Sequence, residues 1–190
     1  SLTVYLREKH IIKDLKSTDI DGIKFKKKTV LIEGYEHQYT LCGSLSAKSN
    51  ETLIMMGGIP SDPSESMFWM AAEIIKMNSS FKILILHLPF YENYSKIELK
   101  DDTAKFNTFN LPFNRESSNE NVKVDPKFSH YNQSKVVEKI LKKLEIFQAH
   151  FIGHDRGVIV FEHLMIRNNN LFLSLSRGAQ VWDCLLYTSP

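Results

Sequence analysis

The sequence predicts an α/β domain built on a mostly parallel sheet, and three observations carry that prediction. From Leu53 onward, short apolar runs of strand length alternate with stretches of helical periodicity. Two of those runs end in glycine turns that open helical patterns: Gly57-Gly58-Ile59-Pro60 follows residues 52–56, and Gly153-His154-Asp155-Arg156-Gly157 follows residues 149–152. The composition, with 43% hydrophobic and 24% charged residues, is that of a chain able to bury a core.

Taken in order, residues 1–28 read as a helical or extended segment. Residues 28–35 and 39–43 read as an opening β-hairpin, with Glu36-His37-Gln38 between the strands and Gly34 as a bulge. A strand at 52–56 leads to a helix at 66–77 that buries Met67, Phe68, Met70, Ala71, Ile74 and Ile75, and Ile83-Leu84-Ile85-Leu86 supplies the next strand. Residues 133–147 form an amphipathic helix. Val136, Val137, Ile140, Leu141, Leu144 and Phe147 make its apolar stripe, while Lys135, Glu138, Lys139, Lys142, Lys143 and Glu145 take the other face. Such a stripe is the ordinary way to cover a sheet. After the second glycine turn a helix runs over 158–167, Asn168-Asn169-Asn170 ends it, and residues 171–175 start another strand.

Between 90 and 127 the pattern dissolves into a polar insertion rich in Asn, Ser and Lys. Within it, the pieces 88–91 and 109–113 carry aromatic residues and proline and are candidates to fold over the crevice. The domain organisation expected is therefore an N-terminal segment at 1–28 and an α/β core at 29–183 containing the 90–127 insertion. Residues 184–190 read as a non-native tail.

Net charge is +2, so no field of one sign marks a nucleic-acid partner. Lys24, Lys26, Lys27 and Lys28 lack an interleaved aromatic platform and read as a solvated strand edge. Cys42 and Cys184 have neither disulfide-framework nor metal-ligand spacing, and no run reaches membrane-spanning length. These features point to a cytoplasmic protein acting on a small molecule, without cofactor, metal, nucleic acid or membrane; the oligomeric state is not read. The chain begins with Ser, which leaves room for an upstream targeting segment.

The chemistry sits in the two glycine turns. A strand that breaks into a helix through a small-X-acid-X-small turn has the geometry of a nucleophile elbow, which lifts its central side chain, here Asp155, above the sheet. Gly153 and Gly157 give the close approach of strand and helix that such a turn needs. The helix dipole then favours an ionised carboxylate and any developing oxyanion. A simple turn with Asp155 as helix cap is the competing reading. The turn at Gly57 and Gly58 can aim backbone N–H groups at the same crevice.

These two stretches resemble the oxyanion loop and the Gly-X-Asp-X-Gly elbow of the α/β-hydrolases that use an aspartate nucleophile, the epoxide hydrolases and the haloalkane and haloacetate dehalogenases. The resemblance covers roughly residues 29–183. Gly57 stands where the family has His, and Val158 where a third small residue is common. The resemblance implies attack by Asp155 to form an aspartyl ester, backbone donors from Ile59 and Arg156 for the oxyanion, and Gly57, Gly58, Pro60, Gly153, His154 and Gly157 as supporting loop and elbow.

In that family a His near the end of the chain, oriented by a second acid, activates water. The seven histidines here, at 10, 37, 87, 130, 150, 154 and 163, precede or adjoin the elbow or follow it within its helix. The expectation is a C-terminally truncated enzyme: active as the full-length protein, and inactive as these 190 residues beyond one alkylation event. Opening of an epoxide ranks ahead of halide displacement. A carboxylate-binding role for Arg156 ranks lower, because Ile159 and Val160 stand where a second Arg is expected. The alternative from another class is a catalytically inactive binding or scaffold protein on the same fold.

Overall fold

The computed structural model describes residues 12–58, 63–91 and 126–178. Within them lies one seven-stranded sheet: β1 (Ile12–Ile20), β2 (Ile23–Ile32), β3 (Tyr35–Gly43), β4 (Thr52–Met56), β5 (Lys82–Leu86), β6 (Ala149–Gly153) and β7 (Phe172–Arg177). Three helices accompany it: α1 (Pro63–Met77), α2 (His130–Lys143) and α3 (Arg156–Arg167). The strand order is β1-β2-β3-β5-β4-β6-β7. β1, β2, β3 and β5 pair antiparallel in succession, and β5, β4, β6 and β7 pair parallel.

The parallel part explains why its strands read as unbroken apolar runs. β4 is buried along all five residues because it lies between β5 and β6 with helices over both faces. On one face Phe25, Cys42, Leu53, Met55, Ile83 and Ile85 pack with Met67, Phe68, Ala71 and Ala72 of α1. On the other, Ile54, Met56, Leu84, Leu86 and Phe151 pack with Val137, Ile140 and Leu141 of α2 and Val160, Phe161 and Leu164 of α3. Burial pushes the Cys42 thiol up to about 12.

The antiparallel part differs from the sequence reading in its turns. The β2–β3 connection is Glu33-Gly34, with both residues at positive φ (51° and 86°), so Glu36-His37-Gln38 belongs to β3 and Gly34 is a turn residue instead of a bulge. Two residues at positive φ make the tight hairpin whose twist matches that of its strands. Asp21-Gly22 joins β1 to β2 in the same way, and over 12–28 the N-terminal segment is strand. The lysine cluster therefore lies on a strand paired on both sides, Lys24 opposite Asp19, and not on a sheet edge.

Both long helices begin earlier than their apolar stripes. In α1, Ala72 is buried and Met70 is 45% exposed, since residues two apart on a helix point to nearly opposite sides. α2 starts at His130, where the Ser129 hydroxyl accepts the Asn132 N–H (3.2 Å), and ends at Lys143. Beyond it the chain turns through Glu145 at positive φ, which buries Ile146 and leaves Phe147 70% exposed.

Residues 92–125, which hold most of the polar insertion and its 109–113 piece, and residues 179–190 lie outside the described residues. Of the aromatic pieces flanking the insertion, Phe90 packs edge-on to Tyr35, His37 and Phe128. No helix among the described residues is long and apolar enough to cross a membrane.

Candidate functional site: the strand–helix elbow at Asp155

The four parallel strands end level with one another: Met56 pairs with Leu86 on one side and with Gly153 on the other, and Gly153 pairs with Arg177. This carboxyl edge is where both glycine turns lie. The ladder continues one step into the elbow, the His154 N–H donating to the Met56 carbonyl (3.0 Å) and the Gly178 N–H to that of Gly153 (2.7 Å). Two short bonds then fold the chain into α3, from the Gly157 N–H to the His154 carbonyl and from the Val158 N–H to the Asp155 carbonyl (both 3.1 Å).

Asp155 takes the strain of that reversal. Its backbone lies at φ 52°, ψ −126°, a region that an L-residue with a side chain rarely occupies, and its carboxylate makes no capping bond to α3. The simple-cap reading therefore fails. An N-cap Asp has extended backbone and bonds the N2 or N3 amide, whereas Asp155 has neither feature.

The flanking glycines are required by contact. A Cβ on Gly153 would lie 2.8 Å from Val158 Cα, and one on Gly157 would lie 2.8 Å from the Gly57 carbonyl oxygen. A Cβ on Gly58 would lie 2.5 Å from Asp155 Cβ and Cγ. The two glycine turns, far apart in sequence, are thus in direct contact, with Gly58 against the Asp155 side chain and Gly157 against the backbone of residues 56–57. Arg156 is the first residue of α3, a position whose backbone N–H has no acceptor within the helix. Ile59 and Pro60 lie outside the described residues. His154 is exposed beside Gly178, and His163 sits half-buried two turns into α3.

Sequence reasoning missed His130. α2 precedes the parallel strand β6, so it runs away from the carboxyl side of the sheet alongside α3, with its first turn against the second turn of α3. Tyr131 meets the His163 ring (6.1 Å between centroids), and the Arg167 guanidinium lies 5.7 Å from the Tyr131 ring. Farther along, Arg167 donates to Ser134 Oγ (2.5 Å) and pairs with Glu138, which also accepts from Asn168. This packing sets His130 within electrostatic reach of Asp155, Arg156 and His163. Burial, then the Arg156 and His163 charges, hold its imidazole below the usual histidine range, against the opposing pull of Asp155. The available signal was Ser129, an N-cap residue just ahead of the apolar stripe.

A cavity of about 340 Å³ lies elsewhere on the same side, between the β2–β3 turn and α2, lined by Tyr35, His37, Phe90, Lys127, Lys135 and Val136. Its lining does not include Asp155. Among the described residues no three His, Cys, Asp or Glu side chains are grouped so as to hold a metal ion.

This architecture is the α/β-hydrolase fold. An epoxide hydrolase from Aspergillus niger, in an enantioselective mutant form, superposes with a TM-score of 0.54 at 16% identity, over 82% of this chain and 35% of that one. The juvenile hormone epoxide hydrolase of the silkworm Bombyx mori gives 0.54 at 14% identity, over 80% and 31%. The 2-hydroxy-6-oxo-6-phenylhexa-2,4-dienoate hydrolase of Rhodococcus sp. strain RHA1 gives 0.55 at 8%, over 84% and 47%. The chain spans less than half the length of these structures. No protein-family model and no curated protein matches the sequence.

Proposed function

We propose that the chain is the nucleophile-bearing part of a hydrolase that opens an epoxide, or displaces a halide, through an ester on Asp155. The observation that carries this reading is the strained backbone of Asp155 at the elbow, with its carboxylate against Gly58 and not bonded to the helix it precedes. Epoxide hydrolases among the fold's neighbours support the same chemistry.

In the reaction, an Asp155 oxygen attacks the less hindered epoxide carbon, the carbon–oxygen bond of the ring breaks, and the released alkoxide takes a proton from water. Splitting hydrolysis into alkylation and ester cleavage replaces one difficult step with two easier ones. In this reading the backbone N–H groups of Arg156 and Ile59 are the donors for the oxyanion that forms when water adds to the ester carbonyl.

The test is a peptide mass map after incubation with styrene oxide. The expected result is one adduct, on the peptide holding Asp155, that disappears in Asp155→Asn. An adduct elsewhere, or none with an intact fold by circular dichroism, overturns the reading and favours a binding protein.

A further inference from the structure

We infer that the cavity between the β2–β3 turn and α2 is a binding site for a small aryl carboxylate, separate from the elbow and independent of the chemistry proposed there. Its volume, about 340 Å³, falls within the range of about 300–1,000 Å³ in which proteins hold small molecules. Its lining joins apolar surface to cations. Ile32 and Val136 are buried in its wall beside the Tyr35 and Phe90 rings, and Lys127, Lys135 and Lys139 stand around them. On α2, residues 132, 135, 136 and 139 recur at i, i+3, i+4 and i+7, so one helix face brings an amide, two ammonium groups and an aliphatic side chain to the same opening.

The charges of this lining do not cancel. Lys139 pairs with Glu33, the acid of the lining, whereas Lys135 rests on the Tyr131 ring (4.3 Å) and has no carboxylate partner among the described residues. Lys127 lies 5.2 to 5.9 Å from the centroids of the Tyr35, Phe90 and Phe128 rings, which sets another positive charge against the aromatic wall. An excess of positive charge beside half-buried rings selects an anion and opposes the cations that rings alone would attract. Phe90 fixes the apolar side. Its backbone lies at φ 73°, a region that a bulky residue rarely takes, and its ring is held edge-on to Tyr35 and His37 (both 5.3 Å). Strain of this kind persists where the surroundings over-determine it, as they do at ligand clamps. A ligand ring packs on Phe90 and Tyr35 in the edge-to-face or offset manner of aromatic pairs, with its carboxylate at Lys135.

The experiment is isothermal titration of the 190-residue chain with 2-naphthoate, with its uncharged analogue 2-naphthamide, and with acetate, which has the charge without the rings. Naphthoate is expected to bind at one site, the amide about tenfold more weakly, and acetate not to compete at equal concentration. That factor is the lower end of what a charge-assisted hydrogen bond contributes. Lys135→Met should bring naphthoate down to the level of the amide and leave the amide unchanged, which also shows that the cavity of the variant is intact. Asp155→Asn should alter neither. No saturable binding at millimolar naphthoate, equal affinity for acid and amide, competition by acetate, or a naphthoate affinity indifferent to Lys135→Met overturns the site. Loss of binding in Asp155→Asn places the probe at the elbow and overturns it as well.

Discussion

Gly58 and Asp155, 97 positions apart in the chain, are in van der Waals contact, so close that a Cβ on Gly58 would lie 2.5 Å from the Asp155 Cγ. Neither residue alone makes a site. Together they place an acid at a strained turn against a glycine that has no side chain to obstruct it.

Gly58→Ala is expected to displace the Asp155 carboxylate. A misplacement of about 1 Å at a reacting group costs about 10²-fold, so adduct formation with styrene oxide should fall by about that factor while far-UV circular dichroism is unchanged. An unaltered alkylation rate would mean that the carboxylate reacts from another position.

Gly157→Ala sets two effects against each other. Helix propensity favours Ala by about 1 kcal/mol at an exposed interior position. The added methyl, however, meets the backbone of residues 56–57, and overpacking costs about 1–3 kcal/mol. The clash involves a rigid neighbour and wins, so urea unfolding should show a net loss of up to about 2 kcal/mol.

Arg167 joins α2 to α3 through Ser134 and Glu138. Arg167→Ala leaves both partners short of a donor, at a cost of about 1–3 kcal/mol for a fully buried group. The Arg167 and Glu138 side chains are 20% and 35% exposed, so solvent screening holds the loss to the lower part of that range. A double-mutant cycle with Glu138→Gln should return a favourable coupling energy; zero coupling would place the contact among surface pairs of no consequence.

The pH dependence of stability has a definite sign at His130. Its folded pKa lies below the unfolded value, first through burial and then through Arg156 and His163, with Asp155 opposing. Between the two values the unfolded chain binds more protons. The His130 contribution is therefore complete above the unfolded value of about 6.5 and is lost as pH falls through the folded one. Urea midpoints at pH 7.5 and pH 5 should differ more for the unsubstituted chain than for His130→Gln. Equal differences would show that His130 titrates as it does in the unfolded chain.

The parallel half of the fold was legible in the sequence because buried parallel strands write themselves as apolar runs, and each glycine turn marks where a run stops. The elbow was legible for a related reason: Gly153 and Gly157 are local to Asp155 and their steric purpose is short-range. The hairpin turn was misplaced because Glu33 takes positive φ without the Asn or Asp that usually announces it. Met70 and Phe147 kept to an apolar stripe in sequence, yet the helix containing one faced the sheet through Ala72, and the helix preceding the other ended at Lys143. The position of His130 was only half legible: Ser129 marks the start of α2, but where that start lies relative to a strand tip 23 residues on is encoded by no spacing within the sequence.

The central claim is that the Asp155 oxygen, and not a water molecule, makes the new bond to carbon. When the chain is alkylated with styrene oxide in ordinary water, freed of excess reagent, and its ester then cleaved in ¹⁸O-labelled water, the released diol should carry no label and the Asp155 peptide should gain it. A labelled diol with an unlabelled Asp155 peptide, or no ester at Asp155, would contradict the account.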